Sequence, residues 1–284
     1  KEAYRMSKTK ILFVNSEVEP FLQTGKVAQH GNLLPQALQD LGHEIRVFMP
    51  RFGTINERRN QLHEVIRLSG QNLVINDSDH SLVLKVASLS SVRTQVYFID
   101  NEEYFSTRST YSDKKGNEYA DQVERCLFYA RGVAETVKNL RWTPDIIFCQ
   151  GWFAAVAPMY IKKTMHDSQC FKNAKIFLAL YDKTFKTDWP VNTSQILKTS
   201  GVTKADVAEI KDKKVSCKDL LRLATRFCDG IIVADKGVDQ DVVENAKTLG
   251  KSILDISDNS EINVEQFSNF FESFFPKEVI SEEE

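Results

Sequence analysis

Along the first fifty residues the apolar positions change period twice. Ile11–Asn15 (ILFVN) is a short unbroken apolar run between polar residues, the pattern of a strand buried on both faces. Leu33, Leu34, Ala37, Leu38 and Leu41 then recur at helical spacing. Gly42 stands where such a helix stops, and Pro35 should mark its first turn or a kink. Glu44–Met49 (EIRVFM) alternates as a second strand and ends at Pro50. Strand, helix and strand within about forty residues form a βαβ unit, which requires a right-handed crossover and parallel strands.

The texture changes between Leu62 and Ile99. Leu73–Ile75, Ser81–Ala87 and Thr94–Ile99 read as hairpin strands inserted into the α/β core, separated by polar stretches. A helix follows, with Val123, Cys126, Leu127, Ala130, Val133, Ala134 and Val137 on one face. Asp145–Cys149 (DIIFC), Ile176–Leu180 (IFLAL) and Ile231–Ala234 (IIVA) are further buried strands, and Ile253–Ile256 adds a short one. Trp152–Met165 is expected to be a helix broken near Pro158, and Leu220–Cys228 another helix. The fold class is α/β: a parallel sheet with helices on both faces and an inserted β-hairpin region.

Near the C-terminus Val264, Phe267, Phe270, Phe271, Phe274 and Phe275 form a dense aromatic stripe at helical spacing. Left exposed, it would be an aggregation hazard, so it should pack back on the body rather than dock a partner. Four parts are expected: an N-terminal extension (1–9), the main domain (10–246), a segment carrying the aromatic helix (247–276) and an acidic tail (277–284).

Composition narrows the function classes. Of 284 residues 42% are hydrophobic and 27% charged, and the 37 basic and 39 acidic side chains leave a net charge of -2. That balance offers no field for nucleic acid or an anionic membrane. The five cysteines form no Cys-x-x-Cys pair, and His30, His43, His63, His80 and His166 show no ligand spacing, so no metal or other cofactor is expected. Cysteines in apolar runs read as reduced thiols. No early apolar stretch is long enough for a signal peptide or a membrane span, which points to a cytoplasmic protein. Met6 reads as a start, with residues 1–5 added or alternative.

Three ordered motifs carry a resemblance. The chain has Ser16-Glu17-Val18-Glu19-Pro20-Phe21, then Leu34-Pro35-Gln36-Ala37-Leu38, then Gly42-His43-Glu44-Ile45-Arg46-Val47-Phe48-Met49-Pro50-Arg51-Phe52-Gly53. These resemble the opening of the bacterial glycogen and starch synthases, two-domain retaining glycosyltransferases of GT-B fold. The likeness continues through Tyr111-Ser112-Asp113, Tyr119-Ala120-Asp121, Arg125, Pro144–Trp152 and Leu220–Val233. It implies a Rossmann-like, GT-B N-terminal-type domain, with Glu17, Gly25, Lys26, Tyr111, Asp121 and Trp152 at pocket positions. Tyr111 and Trp152 also fit plain packing, and Asp121 fits an i,i+4 ion pair with Arg125.

The resemblance fails at the groups that carry the family's chemistry. Its Lys-Thr-Gly-Gly loop, which receives the nucleotide diphosphate, reads Gln23-Thr24-Gly25-Lys26 here, and its following aspartate is Gln29. Lys26 is the one cation placed to substitute, although its side chain fills the space the second glycine keeps open. The family's His-x-His-Asp-Trp-His becomes Phe148-Cys149-Gln150-Gly151-Trp152-Phe153, and Thr-x-His-Asn becomes Leu178-Ala179-Leu180-Tyr181. Asp182, Lys183, Lys186 and Asp188 follow in a loop read as a solvated polar rim. No nucleotide loop follows Val238, so the sugar-nucleotide-binding second domain is expected to be missing, with the aromatic helix closing back on the first.

These substitutions imply a degenerate, non-catalytic relative with a binding, scaffolding or regulatory role. The alternative is the acceptor-side half of a split enzyme that moves glucosyl units from ADP- or UDP-glucose to an α-glucan; an active transferase with a relocated site is a third. The implied partners are another protein subunit and a weakly held glucan or sugar nucleotide.

Overall fold

Runs that are apolar at every position need cover on both faces, and the chain supplies it by laying strands edge to edge between two layers of helices. The computed structural model describes residues 8–89 and 94–276; the acidic tail and most of the N-terminal extension lie outside them. In chain order the elements are β1 (Lys10–Asn15), α1 (Lys26–Asp40), β2 (Glu44–Pro50), β3 (His63–Glu64), β4 (Asn72–Ile75), β5 (Ser78–Ser81), β6 (Val83–Ser88) and β7 (Gln95–Asp100). Then come α2 (Gln122–Asn139), β8 (Ile146–Gln150), α3 (Ala157–Met159), β9 (Lys175–Leu180), α4 (Thr193–Leu197) and α5 (Cys217–Arg226). The last are β10 (Gly230–Val233), α6 (Gln240–Thr248), β11 (Ser252–Asp255) and α7 (Val264–Glu272).

Nine strands form one sheet in the order β11-β10-β9-β8-β1-β2-β7-β6-β3. It is parallel from β11 to β7; at the other edge β6 alone is reversed, pairing antiparallel with both β7 and β3. From β1 the chain moves to one side through β2 and β7, then α2 carries it back so that β8 pairs on the other side of β1. The β1/β8 seam is therefore the topological switch point, where open α/β sheets hold ligands beyond the carboxyl ends of the strands.

Two features differ from the sequence reading. Thr94–Ile99 does form a hairpin, β6 with β7, but not one set apart from the core: β7 also pairs in parallel with β2 and is buried at five of its six positions. Its Val-Tyr-Phe-Ile run is a doubly covered core strand, which alternation alone does not separate from a hairpin strand. A second, separate hairpin, β4–β5, turns at Asn76 and Asp77, both with positive φ as a two-residue turn requires.

Helix α1 begins at Lys26, earlier than the leucine spacing suggested, because Val27, Ala28 and Gly31 continue its buried face. Pro35 thus lies inside the helix and cannot donate to the Gly31 carbonyl one turn back. Gly31 is also where α1 crosses the backbone after β1: an added Cβ would lie 2.3 Å from the Glu17 carbonyl.

Helix α7 lies across the face that α1 also covers. Its Phe267 and Phe271 are buried, with rings 6.1 and 5.7 Å from Phe148, while Phe270, Phe271 and Phe274 surround Phe177 at 4.8–5.6 Å. The aromatic stripe is thereby inserted over β8 and β9, with Asn263 capping the helix through the Glu265 and Gln266 amides. Among the described residues no helix is long and apolar enough to cross a membrane.

Candidate functional site

The switch point brings Asn15 and Gln150, the last residues of β1 and β8, into register side by side. Ser16 follows and doubly engages the Gln150 carbonyl, through its amide and its hydroxyl, both at 2.9 Å. Gly151 then turns the chain at φ +84°, and a Cβ there would sit 2.6 Å from the Ser16 hydroxyl. A side chain at this position needs both a strained backbone and a displaced Ser16.

Behind the seam runs a chain of buried hydrogen bonds. His30 Nδ1 lies 2.8 Å from the Tyr181 hydroxyl, which donates to Gln150 Oε1 at 2.7 Å. Gln150 Nε2 donates to Asn15 Oδ1 at 3.0 Å, and Asn15 Nδ2 to the Gly31 carbonyl at 3.4 Å. That carbonyl is the one Pro35 leaves without a helical donor, so the chain starts and ends on α1. With Tyr181 donating to Gln150, His30 holds its proton on Nδ1. Burial, then the neighbouring Lys26 charge, lowers the His30 pKa to about 4 against the opposing pull of Asp235. Burial, and secondarily Asp235, pushes the Tyr181 phenol well up.

A second cluster surrounds Glu17, whose side chain is wholly buried. Its Oε1 accepts from the Tyr111 hydroxyl at 2.9 Å and pairs with Lys183 Nζ; its Oε2 accepts from the Thr24 hydroxyl. Lys183 also stands 5.1 Å from the centre of the Tyr111 ring. Tyr111 packs 4.8 Å from Trp152, which meets Phe185 at 5.0 Å, and Phe185 stacks on Trp189. Burial and the Glu17 carboxylate raise the Tyr111 pKa well above that of a free phenol. Tyr111 and Trp152 pack, and Tyr111 also helps to hold a charge.

Lys26, at the N-terminus of α1, does not project freely. Its ammonium lies 3.2 Å from Asp235 Oδ1 and 3.4 Å from the Ala234 carbonyl, just past the end of β10. Gly25 before it has φ +116° with open space around it. Gln23 and Gln29 are exposed. The cation nearest this helix N-terminus is therefore engaged by a carboxylate of the same domain.

Other candidate positions lie outside these clusters. Asp121 pairs with Arg108. Arg125, expected as its helical partner, is fully buried instead and donates to Gln122 Oε1 and to the Tyr104 and Thr110 carbonyls. Its guanidinium sits 4.9–5.8 Å from the Phe52, Phe105, Tyr119 and Phe153 rings, and burial lowers its pKa to about 10. Phe153 thus belongs to an aromatic core, Phe148 lies beneath α7, and Leu180 is buried at the end of β9. Among the described residues no group of three or more His, Cys, Asp or Glu side chains is arranged to hold a metal ion. Two cavities, of about 500 and 310 Å3, open elsewhere on the surface.

A family model described as "Starch synthase catalytic domain" matches residues 10–253. This chain belongs to that family. It is 32% identical over 268 residues to a glycogen synthase of Chlorobium limicola, across 89% of this chain and 54% of the relative. To a glycogen synthase of Chlorobium luteolum it is 38% identical over 174 residues, 61% of this chain and 36% of that one. The chain spans about half the length, or less, of these curated relatives. A solved structure, the catalytic domain of starch synthase IV from Arabidopsis thaliana bound to ADP and acarbose, shares its fold: TM-score 0.71 at 14% identity, over 88% of this chain and 51% of that one.

Starch synthase family membership gives the two clusters a common setting. Of the positions where the family resemblance places histidines, aspartates and a diphosphate-binding lysine, Phe148, Phe153 and Leu180 are apolar core, Gln23 and Gln29 are exposed, and Lys26 stands at the second glycine. Gln150 and Tyr181 form the buried chain, Gly151 is open only because it lacks a Cβ, and Lys26 is paired. His30, Tyr181, Lys183 and Asp235 are the site residues that sequence reasoning did not single out for these roles. The available signal was position, since Tyr181, Lys183 and Asp235 follow strand carboxyl ends.

Proposed function

We propose that this glycogen synthase-like domain does not transfer glucosyl units at its strand-end site and instead serves a binding, scaffolding or regulatory role. One observation carries the reading: Lys26, the cation of the Gln23–Lys26 loop, is neutralised by Asp235, and the nearby Lys183 by Glu17. A nucleotide diphosphate needs uncompensated positive charge and free donors at a helix N-terminus. Drawing Lys26 away would leave the Asp235 carboxylate facing the phosphates, which adds repulsion to the loss of a donor. The histidine and aspartate positions hold no acid, base or charged hydrogen-bond donor, and each such group is commonly worth orders of magnitude in rate.

The test is glucosyl transfer by the purified chain, supplied with ADP-glucose or UDP-glucose and a maltooligosaccharide primer. No nucleotide release above the rate without enzyme is expected; steady turnover that disappears in Lys26→Ala would overturn the proposal. A second reading makes this domain the acceptor side of a transferase whose sugar nucleotide is held by a separate chain. The partly exposed edge of Tyr111, beside Trp152 and Lys183, favours it as an aromatic contact for a sugar. A stoichiometric complex that restores transfer would select this reading over the first.

A further inference from the structure

The cavity of about 310 Å3 shares no lining residue with the strand-end clusters. It lies where the β4–β5 hairpin, α2, the turn after α3 and the segment after α4 meet. Its two cations are Arg131, from α2, and Lys198. Among the described residues neither has a carboxylate within ion-pair distance, whereas Lys162 and Lys163, on the same turn as Tyr160 and Thr164, are paired with Asp229 and Asp206.

Arg131 Nη1 donates to the Val74 carbonyl and the Tyr160 hydroxyl engages the same guanidinium, yet its Nε is buried without an acceptor. That nitrogen is closed to solvent, so what Arg131 offers the cavity it lines is the rest of its guanidinium fork, with no carboxylate among the described residues to neutralise it. Beside it the Thr164 and Thr199 hydroxyls bond each other at 2.6 Å, and Ser200 completes that wall. Asp77 is the single carboxylate of the lining and stands beyond ion-pair reach of both cations.

We propose that this cavity binds a small phosphorylated metabolite, its phosphoryl oxygens held between Arg131 and Lys198 and its hydroxyl-bearing remainder against Thr164, Thr199 and Asp77. A planar guanidinium fork plus an ammonium and hydroxyl donors match the several oxygens of a phosphoryl group better than the two of a carboxylate. The volume sits at the small end of ligand clefts, which run from about 300 Å3 upward, and so suits a small molecule.

The proposal is tested by phosphorus NMR titration of the purified chain with glycerol 3-phosphate at fixed ionic strength, with acetate as the competing anion. Saturable binding is expected, weakened about tenfold by Lys198→Ala and beyond detection in Arg131→Gln. Lys198 is exposed and unpaired, so its variant keeps the fold, which circular dichroism verifies. Absence of saturable binding, binding unchanged in Lys198→Ala, or displacement by equimolar acetate would each overturn it.

Discussion

Acidification should destabilise the strand-end site by placing a charge on the half-buried His30 beside Lys26. In the folded domain its pKa is about 4, against 6.5 for an unperturbed imidazole, with burial the main cause and Lys26 the second. Between those two values the unfolded chain binds a proton that the folded chain refuses, so stability falls as pH drops from 6.5 toward 4 and levels off below. The gap converts to about 3 kcal/mol for a fully buried group. His30 is partly open to solvent, so about 2 kcal/mol is expected. For a domain of this size that lowers Tm by roughly 4–8 °C. The assay is thermal unfolding of the wild type and of His30→Gln, which keeps an N–H donor for Tyr181 but cannot titrate, at steps between pH 7 and pH 4. Carboxylates and His43, which burial also depresses, act in both proteins and cancel in the difference. Parallel pH profiles for the two proteins, or an imidazole resonance of His30 titrating at or above 6.5, would refute the reasoning.

Two further substitutions test the packing around the site. Lys183→Met leaves the buried Glu17 carboxylate with only the Thr24 and Tyr111 hydroxyls. It should cost about 2–3 kcal/mol in chemical denaturation, less than a fully buried broken pair because Lys183 is partly exposed. The loss should be partly recovered in the Glu17→Gln/Lys183→Met double variant; a loss under about 0.5 kcal/mol would mark the pair as an ordinary surface contact. Phe271→Ala, which opens a hole between Phe148 and Phe177, should cost about 3–5 kcal/mol by urea midpoint. A near-neutral result would mean that α7 does not cover the sheet in solution.

The strands at the centre of the sheet were legible because double burial writes itself as unbroken apolar runs: ILFVN, DIIFC and IFLAL all sit where expected. For β7 the hairpin with β6 is legible in the sequence, but its parallel place beside β2 in the core is not, since its Val-Tyr-Phe-Ile run fits either setting. Local spacing also misled at Asp121 and Arg125: one turn apart, they suggested an ion pair, yet the arginine turns inward to carbonyls and rings. The motif losses could be read one residue at a time. What replaced them could not, since Lys26 meets Asp235 and Tyr181 meets His30 across more than a hundred residues. Those pairings follow from β1, β8, β9 and β10 ending together at one edge, a property of the fold rather than of any segment.

The most direct test of the central claim is a calorimetric titration of the purified chain with ADP and ADP-glucose. With Lys26 held by Asp235, no saturable heat is predicted for either ligand, in the wild type or in Lys26→Ala. Saturable binding that Lys26→Ala abolishes would contradict the account, because it would show the ammonium leaving its carboxylate for the diphosphate.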